Sequence, residues 1–268
     1  MLRVEPCSPA VGAEVTDVDL SAPIDAETTR ALHRAFHDHS VLVFRSQHLQ
    51  PDAQVAFARR WGTPLVVPAL AAHAVEGSPA VLRVPNVGKA ATLTENWHFD
   101  SAFFEVPPPI AILAAQTVPT LGGDTMWANQ YLAYETLSAT MQRLLADLRI
   151  GFTGSMPGED GNRHEVTTFH PVIRTHPATR RQAIAIGRPG SVSSFEGMTV
   201  EESLGLIEFL YAHASRPEFV YRHRWHDGDV VMWDNRCLLH YAVHDHGDAE
   251  RLMHRVTVVD PFDEPDPG

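Results

Sequence analysis

The sequence is poor in the features that mark several common protein classes. Only two cysteines occur, Cys7 and Cys237, far apart and outside any CxxC arrangement. That excludes a disulfide framework and a thiolate zinc site. No apolar run approaches the roughly 20 residues needed to cross a bilayer. The amino-terminal MLRVEPCSPAVG is broken by proline and polar residues where a secretory signal needs an unbroken apolar stretch. The expectation is a cytoplasmic protein with no membrane partner. Basic clusters are also missing. Twenty-one Lys and Arg stand against 33 Asp and Glu, a formal net charge of -12, so nucleic acid is not an expected partner. GxSxG, Walker A and GxGxxG patterns are absent, which removes support for serine hydrolysis, nucleotide hydrolysis and a Rossmann cofactor. There are no internal repeats and no heptads.

What remains is the composition of a globular protein: 44% hydrophobic and 20% charged residues over 268 positions. One domain covering 1–268 is expected, because undivided β barrels and sandwiches reach this size. The first quarter alternates strand and helix. VGAEVTDVDL and SVLVFRS (40–46) read as strands. Helices are predicted over 29–39, behind Asp25 as a possible cap, and from Pro51 to a stop at Gly62. From Ala80 onward short strands follow one another between Pro and Gly turns: VLRVP, NWHFDSAF, AILAAQTV, GDTMWAN, HPVIRTHP, RQAIAIG, DVVMWDN and RLMHRVTVVD. This spacing predicts a mainly β (α+β) fold, a sandwich or jelly roll with flanking helices. Helices are predicted over 136–148, with Leu137, Met141, Leu144 and Leu145 at helical spacing, and after Thr199 and Glu202, which form a capping box. Segments 151–169 and 187–198 lack apolar periodicity and are lid candidates. The tail 262–268 is expected to fray.

Sixteen histidines are the notable excess. In NWHFD, His98 and Asp100 stand two residues apart, so a strand would send both side chains to one face. A face of two histidines and one carboxylate leaves three octahedral positions open on Fe(II). Alone, the pair reads equally as a strand-edge salt bridge. His240, at the end of a segment that runs from a turn through a buried strand, is the candidate second histidine. In RLMHRVTVV, alternation puts Arg251, Met253, Arg255 and Thr257 on one face. If that face is interior, two buried guanidinium groups imply anionic ligands inside.

These segments resemble the taurine/2,4-dichlorophenoxyacetate dioxygenase family of Fe(II)/2-oxoglutarate enzymes. NWHFD is similar to that family's W-H-x-D, LGGDTMWAN to its G-G-D-T segment, and RLMHRVTV to its closing R-x-M-H-R strand. HPVIRTHPATRRQAIAIG and EFVYRHRWHDGDVVMWDNRCLLH are similar throughout, and the resemblance runs from about Val11 to Val259. It implies a double-stranded β-helix, the cupin-like jelly roll, with His98, Asp100 and His240 as iron ligands. It further implies Thr125 and Arg251 on the distal carboxylate of 2-oxoglutarate, and Arg255 near the iron and the substrate's acidic group. The implied cofactors are Fe(II), 2-oxoglutarate as co-substrate and O2, with succinate and CO2 released as a C–H bond is hydroxylated. Because Asp100 is present, the halogenating variation of this chemistry is not expected. Members often assemble as dimers or tetramers, so a homo-oligomer is a further expectation.

The substrate expected is a small organic anion, its charge met by Arg255 and its body by Val66, Val67 and Phe104. Thr94 stands where the taurine branch carries asparagine, and TPLVV follows Gly62 where that branch has its sulfonate histidine. Neither named substrate therefore transfers. Two alternatives stay open at this point: a catalytically silent jelly roll that binds metal or an organic acid, and a zinc hydrolase on the same barrel. His73, His164, His170, His176, His244 and His246 are expected at the surface. His254 is expected on the face opposite Arg255, and Asp234, Asn235 and Arg236 as a structural turn network.

Overall fold

The computed structural model describes residues 2–86, 94–157 and 162–261. Two layers of strand form its centre. The larger is a nine-stranded sheet in the order Arg3–Pro6, Ala13–Thr16, Val41–Phe44, Val230–Asp234, Ile110–Thr117, Arg251–Val259, Ser78–Asn86 and Ala74–Val75, with Thr63–Pro64 also paired to Arg251–Val259. The smaller sheet orders Val220–His223, Thr125–Asn129 and Leu238–Ala242. Neighbours in the chain often lie in different sheets, as a jelly roll requires.

Strand periodicity explains how both faces of the large sheet are covered. Leu42, Phe44, Ile112, Met232 and Val256 pack against Leu32, Phe36, Phe57 and Trp61 from the two amino-terminal helices. The intervening Val41, Val43, Leu113, Val231 and Trp233 point the other way and meet Trp127 and Leu238 of the small sheet. Residues two apart share a face, so each strand serves two apolar layers and reads as a nearly continuous apolar run. Beyond the small sheet, Ala128 and Leu239 pack on Ile184, Ile207 and Leu210 in a third cluster.

The helices start where their caps place them. Ala26–His39 begins at Asp25, whose carboxylate accepts from Thr28 N–H at 2.7 Å, three residues before the predicted start. Pro51–Ala58 opens on proline. Val200–Ala214 carries the full capping box of Thr199 and Glu202. The single helix predicted over 136–148 is instead two, Gln130–Glu135 and Ala139–Leu145. Asn129 caps the first, and the Ser138 hydroxyl accepts from Met141 N–H at 3.2 Å to start the second. Leu144, predicted on the buried face, is 54% exposed.

Three further expectations change. NWHFDSAF is not a strand: His98 makes one isolated bridge and a turn follows Asp100, with Ser101 at φ 52°. The lid candidate 151–169 falls largely in an antiparallel ribbon, Arg149–Pro157 against Arg163–Pro171, although 158–161 lie outside the described residues. The candidate 187–198 contains the strand Val192–Phe195, which joins that ribbon. Its strand period rests on Ile150 and Phe152, which are buried, while Gly151 and Gly154 interrupt the apolar pattern. The predicted fraying of 262–268 also concerns residues outside the description.

Gly62 ends the second helical segment at φ +151°, where an added Cβ would lie 2.7 Å from the carbonyl oxygens of Val259 and Asp260. Two backbone carbonyls and the stiff Val258 side chain, at 2.8 Å, occupy that space. Gly62→Ala is expected to destabilise the fold by about 2 kcal/mol through strain at this junction, read as a lower urea midpoint with an unchanged slope.

Candidate metal centre

His98 and His240 meet through the backbone. His98 N–H donates to His240 O at 3.1 Å, and His240 N–H donates to His98 O at 2.7 Å. This antiparallel pair brings the two imidazole centroids to 4.2 Å. Asp100, two residues on, is held from behind by Asn235. The Asn235 Oδ1 accepts from Asp100 N–H at 2.8 Å, while its Nδ2 donates to the carbonyls of Asp100 at 3.0 Å and Pro108 at 2.8 Å. One side-chain amide thus fixes the turn that presents the carboxylate. The ligand atoms of His98, Asp100 and His240 lie within 4.8 Å of one another, the one such group among the described residues.

Protonation also suits a divalent cation. Burial pushes the Asp100 carboxyl up, but the Arg255 charge, the neighbouring His240 and His98 rings and the Arg255 hydrogen bond outweigh it and bring it down to about 2. Burial and the neighbouring His98 hold His240 at about 3, a neutral imidazole at ordinary pH. The His98 Nδ1 faces the Asn96 carbonyl at 2.7 Å. A carbonyl only accepts, so Nδ1 carries the hydrogen, which leaves Nε2 as the nitrogen available to a metal. Arg255 Nη2 donates to Asp100 Oδ2 at 2.6 Å, and His240 Nε2 lies 3.7 Å from Oδ1. A carboxylate oxygen and two imidazole nitrogens are the donor set Fe(II) takes in an open facial site.

One end of the interior is cationic. Arg251 is 4% exposed. Its Nε donates to Gly123 O at 3.0 Å and its Nη2 reaches Thr125 Oγ1 at 3.5 Å. Burial lowers its guanidinium to about 10. The structure therefore joins Thr125 to Arg251, as expected, and adds Trp225, whose Nε1 donates to Thr125 Oγ1 at 2.9 Å. Arg251, Met253 and Arg255 share the inward face; the burial pattern shifts after Arg255, and Val256 and Val258 join the helix side. His254 lies on that opposite side, as predicted.

The expected substrate residues are less closely gathered. The Thr94 carbonyl accepts from Ala242 N–H at 3.1 Å, which sets it beside the His240 strand. Leu65 N–H donates to Thr257 O at 2.8 Å, so the chain leading to half-buried Val67 runs along the Arg255 strand. Phe104 closes the turn after Asp100 by donating to Ser101 O at 2.9 Å. Neither Val67 nor Phe104 makes a hydrogen bond or ring contact with the triad.

Several histidines depart from their expected surface places. His170 is 7% exposed and its Nε2 faces the carbonyls of Ala102 and Phe104 at 2.9 and 3.0 Å. His176 is buried against Asp234 at 2.9 Å. His244 is mostly enclosed and hydrogen-bonded to Glu95, and His246 is half-buried. His73 and His164 are exposed as expected. Isolated polar residues gave no sign of these partners, because each partner is distant in the chain. Asp234 and Arg236 form the expected structural pair, at 2.7 Å. Asn235 does more than turn the chain, and its place directly after an apolar strand was the only signal.

A jelly roll that converges two imidazoles and a carboxylate on one point defines a non-haem iron oxygenase scaffold. Residues 3–257 match the family described as "Taurine catabolism dioxygenase TauD, TfdA family", and the chain belongs to that family. It is similar to an alpha-ketoglutarate-dependent sulfate ester dioxygenase of Pseudomonas putida, with 34% identity over 96% of this chain and 89% of the relative. It is also similar to an alpha-ketoglutarate-dependent 2,4-dichlorophenoxyacetate dioxygenase of Cupriavidus pinatubonensis, with 34% identity over 95% and 96%. Among solved structures, a taurine dioxygenase from Burkholderia xenovorans superposes with a TM-score of 0.86 at 34% identity, covering 96% of this chain and 89% of that one. The protein is thus a 2-oxoglutarate-dependent dioxygenase using Fe(II) and O2. The silent-module and zinc-hydrolase alternatives find no support among these relatives.

Asn235→Ala removes the Asp100 clamp and leaves buried backbone groups without their partner. Metal affinity, followed by Co(II) titration, is expected to fall about 10- to 100-fold, as when other groups behind a metal ligand are lost. Acid stability follows from the histidines. Burial is the leading cause that holds His170, His223, His240 and His254 below the ordinary imidazole value. The unfolded chain takes up these protons as pH falls through about 6.5, whereas the folded chain resists. Stability is therefore full above that value and declines from about 6.5 toward 3. Urea midpoints at pH 8, 6 and 4 should decrease in that order; a constant midpoint would contradict the assignment.

Proposed function

We propose that His98, Asp100 and His240 hold the Fe(II), that Thr125 and Arg251 take the far carboxylate of 2-oxoglutarate, and that Arg255 faces the acidic group of a small organic substrate. The observation that carries this reading is the convergence of the three ligand atoms within 4.8 Å. When bound, Fe(II) with 2-oxoglutarate and O2 supplies the oxidising chemistry, with succinate and CO2 as the co-products. The chain's own residues orient the reactants. Arg251 and the Thr125 hydroxyl, itself set by Trp225, form a preorganised seat for a carboxylate. Arg255 holds Asp100 in its anionic form through Nη2, while its Nε is buried with no partner. That spare donor supports an anion beside the metal, since a buried N–H without an acceptor is unfavourable.

The substrate we propose is a sulfate ester, sulfonate or aryloxyalkanoate: an anionic head with an apolar body, received near Val66, Val67, Phe104 and Thr94. The relatives' names agree with this chemistry without selecting one member of it. The same reading makes the enzyme a cytoplasmic homo-oligomer, a dimer or tetramer, acting on a freely diffusing small molecule. No described helix is long and apolar enough to cross a membrane.

Aerobic incubation with Fe(II), ascorbate and 2-oxoglutarate should release succinate in proportion to added substrate, screened across alkyl sulfates, alkyl sulfonates and aryloxyalkanoates. Arg255→Ala is expected to lower kcat/KM for the anionic substrate by about 100-fold or more, the scale of losing a buried charged hydrogen bond. Arg251→Ala should instead raise the KM for 2-oxoglutarate. An unchanged kcat/KM in Arg255→Ala would remove the anion role.

A further inference from the structure

Behind the turn that carries Asp100 lies a cavity of about 530 Å³, within the range that small organic ligands fill. Its lining includes Pro107, Pro108, Pro109, Ile173, Arg174 and Asn235, but none of His98, Asp100, His240, Arg251 or Arg255. It is therefore separate from the proposed metal and 2-oxoglutarate site. Most of the wall is apolar, and two guanidinium groups, of Arg174 and Arg236, stand in it.

The Arg174 guanidinium makes no hydrogen bond and no ion pair with any described residue. Its one side-chain partner is the Phe99 ring, with the guanidinium carbon 4.5 Å from the centroid. Its Nη2 is shut off from solvent and has no acceptor. Burial lowers the guanidinium to about 10, with no carboxylate acting against that effect. Arg174 is half-buried, and a guanidinium nitrogen shut from water without an acceptor is unfavourable; its usual remedy is a hydrogen-bonded carboxylate. No described protein group plays that part here. Arg236, also in the lining, is already held by Asp234, and burial disfavours a charge on His170.

We propose that this cavity binds a small organic monocarboxylate, its anionic head on Arg174 and its apolar body against Pro107–Pro109 and Ile173. A single available guanidinium answers one negative charge. The exposed Glu105 and Asp260 in the lining disfavour polyanions such as 2-oxoglutarate. The planar fork of arginine matches a carboxylate's two oxygens. The occupant would sit against two parts of the metal turn, because Arg174 stacks on Phe99, between His98 and Asp100, and Asn235 both lines the cavity and clamps Asp100. The inference stands on the cavity and Arg174 and does not require the triad to hold iron.

Titration of 4-fluorobenzoate by fluorine NMR, at constant ionic strength, tests the proposal on protein loaded with Mn(II) and N-oxalylglycine to fill the active centre. Saturable binding is expected, at least tenfold weaker in Arg174→Gln and in Thr175→Trp, which narrows the cavity from an exposed position in its lining. Arg255→Gln should bind the probe as wild type does, and neutral 4-fluorobenzyl alcohol should bind at least tenfold more weakly. The proposal is overturned by absent binding, by equal affinity for the alcohol, by a folded Arg174→Gln that binds normally, or by loss confined to Arg255→Gln. If Arg174→Gln fails to fold, Thr175→Trp decides, and unchanged affinity there ends the proposal.

Discussion

The reciprocal backbone bridge between His98 and His240 is the constraint from which the rest of the site follows. Two N–H···O bonds lock segments 142 positions apart, so the imidazoles share one neighbourhood without a long strand on the His98 side. A strand through Asp100 would have continued the ladder. Instead Asn235 takes over the backbone groups of Asp100 and turns the chain away, leaving the carboxylate aimed inward. The amide performs for Asp100 what a neighbouring strand would otherwise perform.

Around that bridge, charge is enclosed only where another group answers it. Arg255 and Asp100 stabilise each other, and Asp234 is shared by Arg236 and His176. Asp229 is fully buried yet meets Arg45 at 2.5 Å. These pairs lie between or at the ends of apolar layers whose packing supplies the main driving force for folding. In a low-dielectric interior, removing one member leaves the other uncompensated, so each pair specifies geometry more strongly than it adds stability. Arg174 is the exception to this arrangement.

Much of the architecture was legible because it depends on local rules. Short runs between Pro and Gly turns located Ile110–Thr117 and Val230–Asp234, alternation marked Arg251–Val259, and caps located Ala26–His39 and Val200–Ala214. The period of two also placed Arg251 and Arg255 on a common face before any partner was known. Local rules failed where a local cap was overlooked or a distant group outweighed propensity. The apolar spacing across 136–148 looked like one helix, but Ser138 restarted it and Leu144 turned outward. The ribbon from Arg149 to Pro171 was missed because glycine and threonine occupy strand positions that pair along their backbones. His170 and His176 were assigned to the surface because their partners, Ala102, Phe104 and Asp234, are far away in sequence.

By itself the sequence determined the family, the mainly β pattern and the residue types able to bind a cation and a carboxylate, since these rest on periodicity and on motifs read along the chain. Only the tertiary structure decided that His240 reaches the His98–Asp100 segment, that Asn235 and Trp225 hold the site from outside, and that a guanidinium faces a second cavity. The physical reason is that a hydrogen bond or a burial depends on distance in space, and chain position alone does not fix which remote groups arrive there.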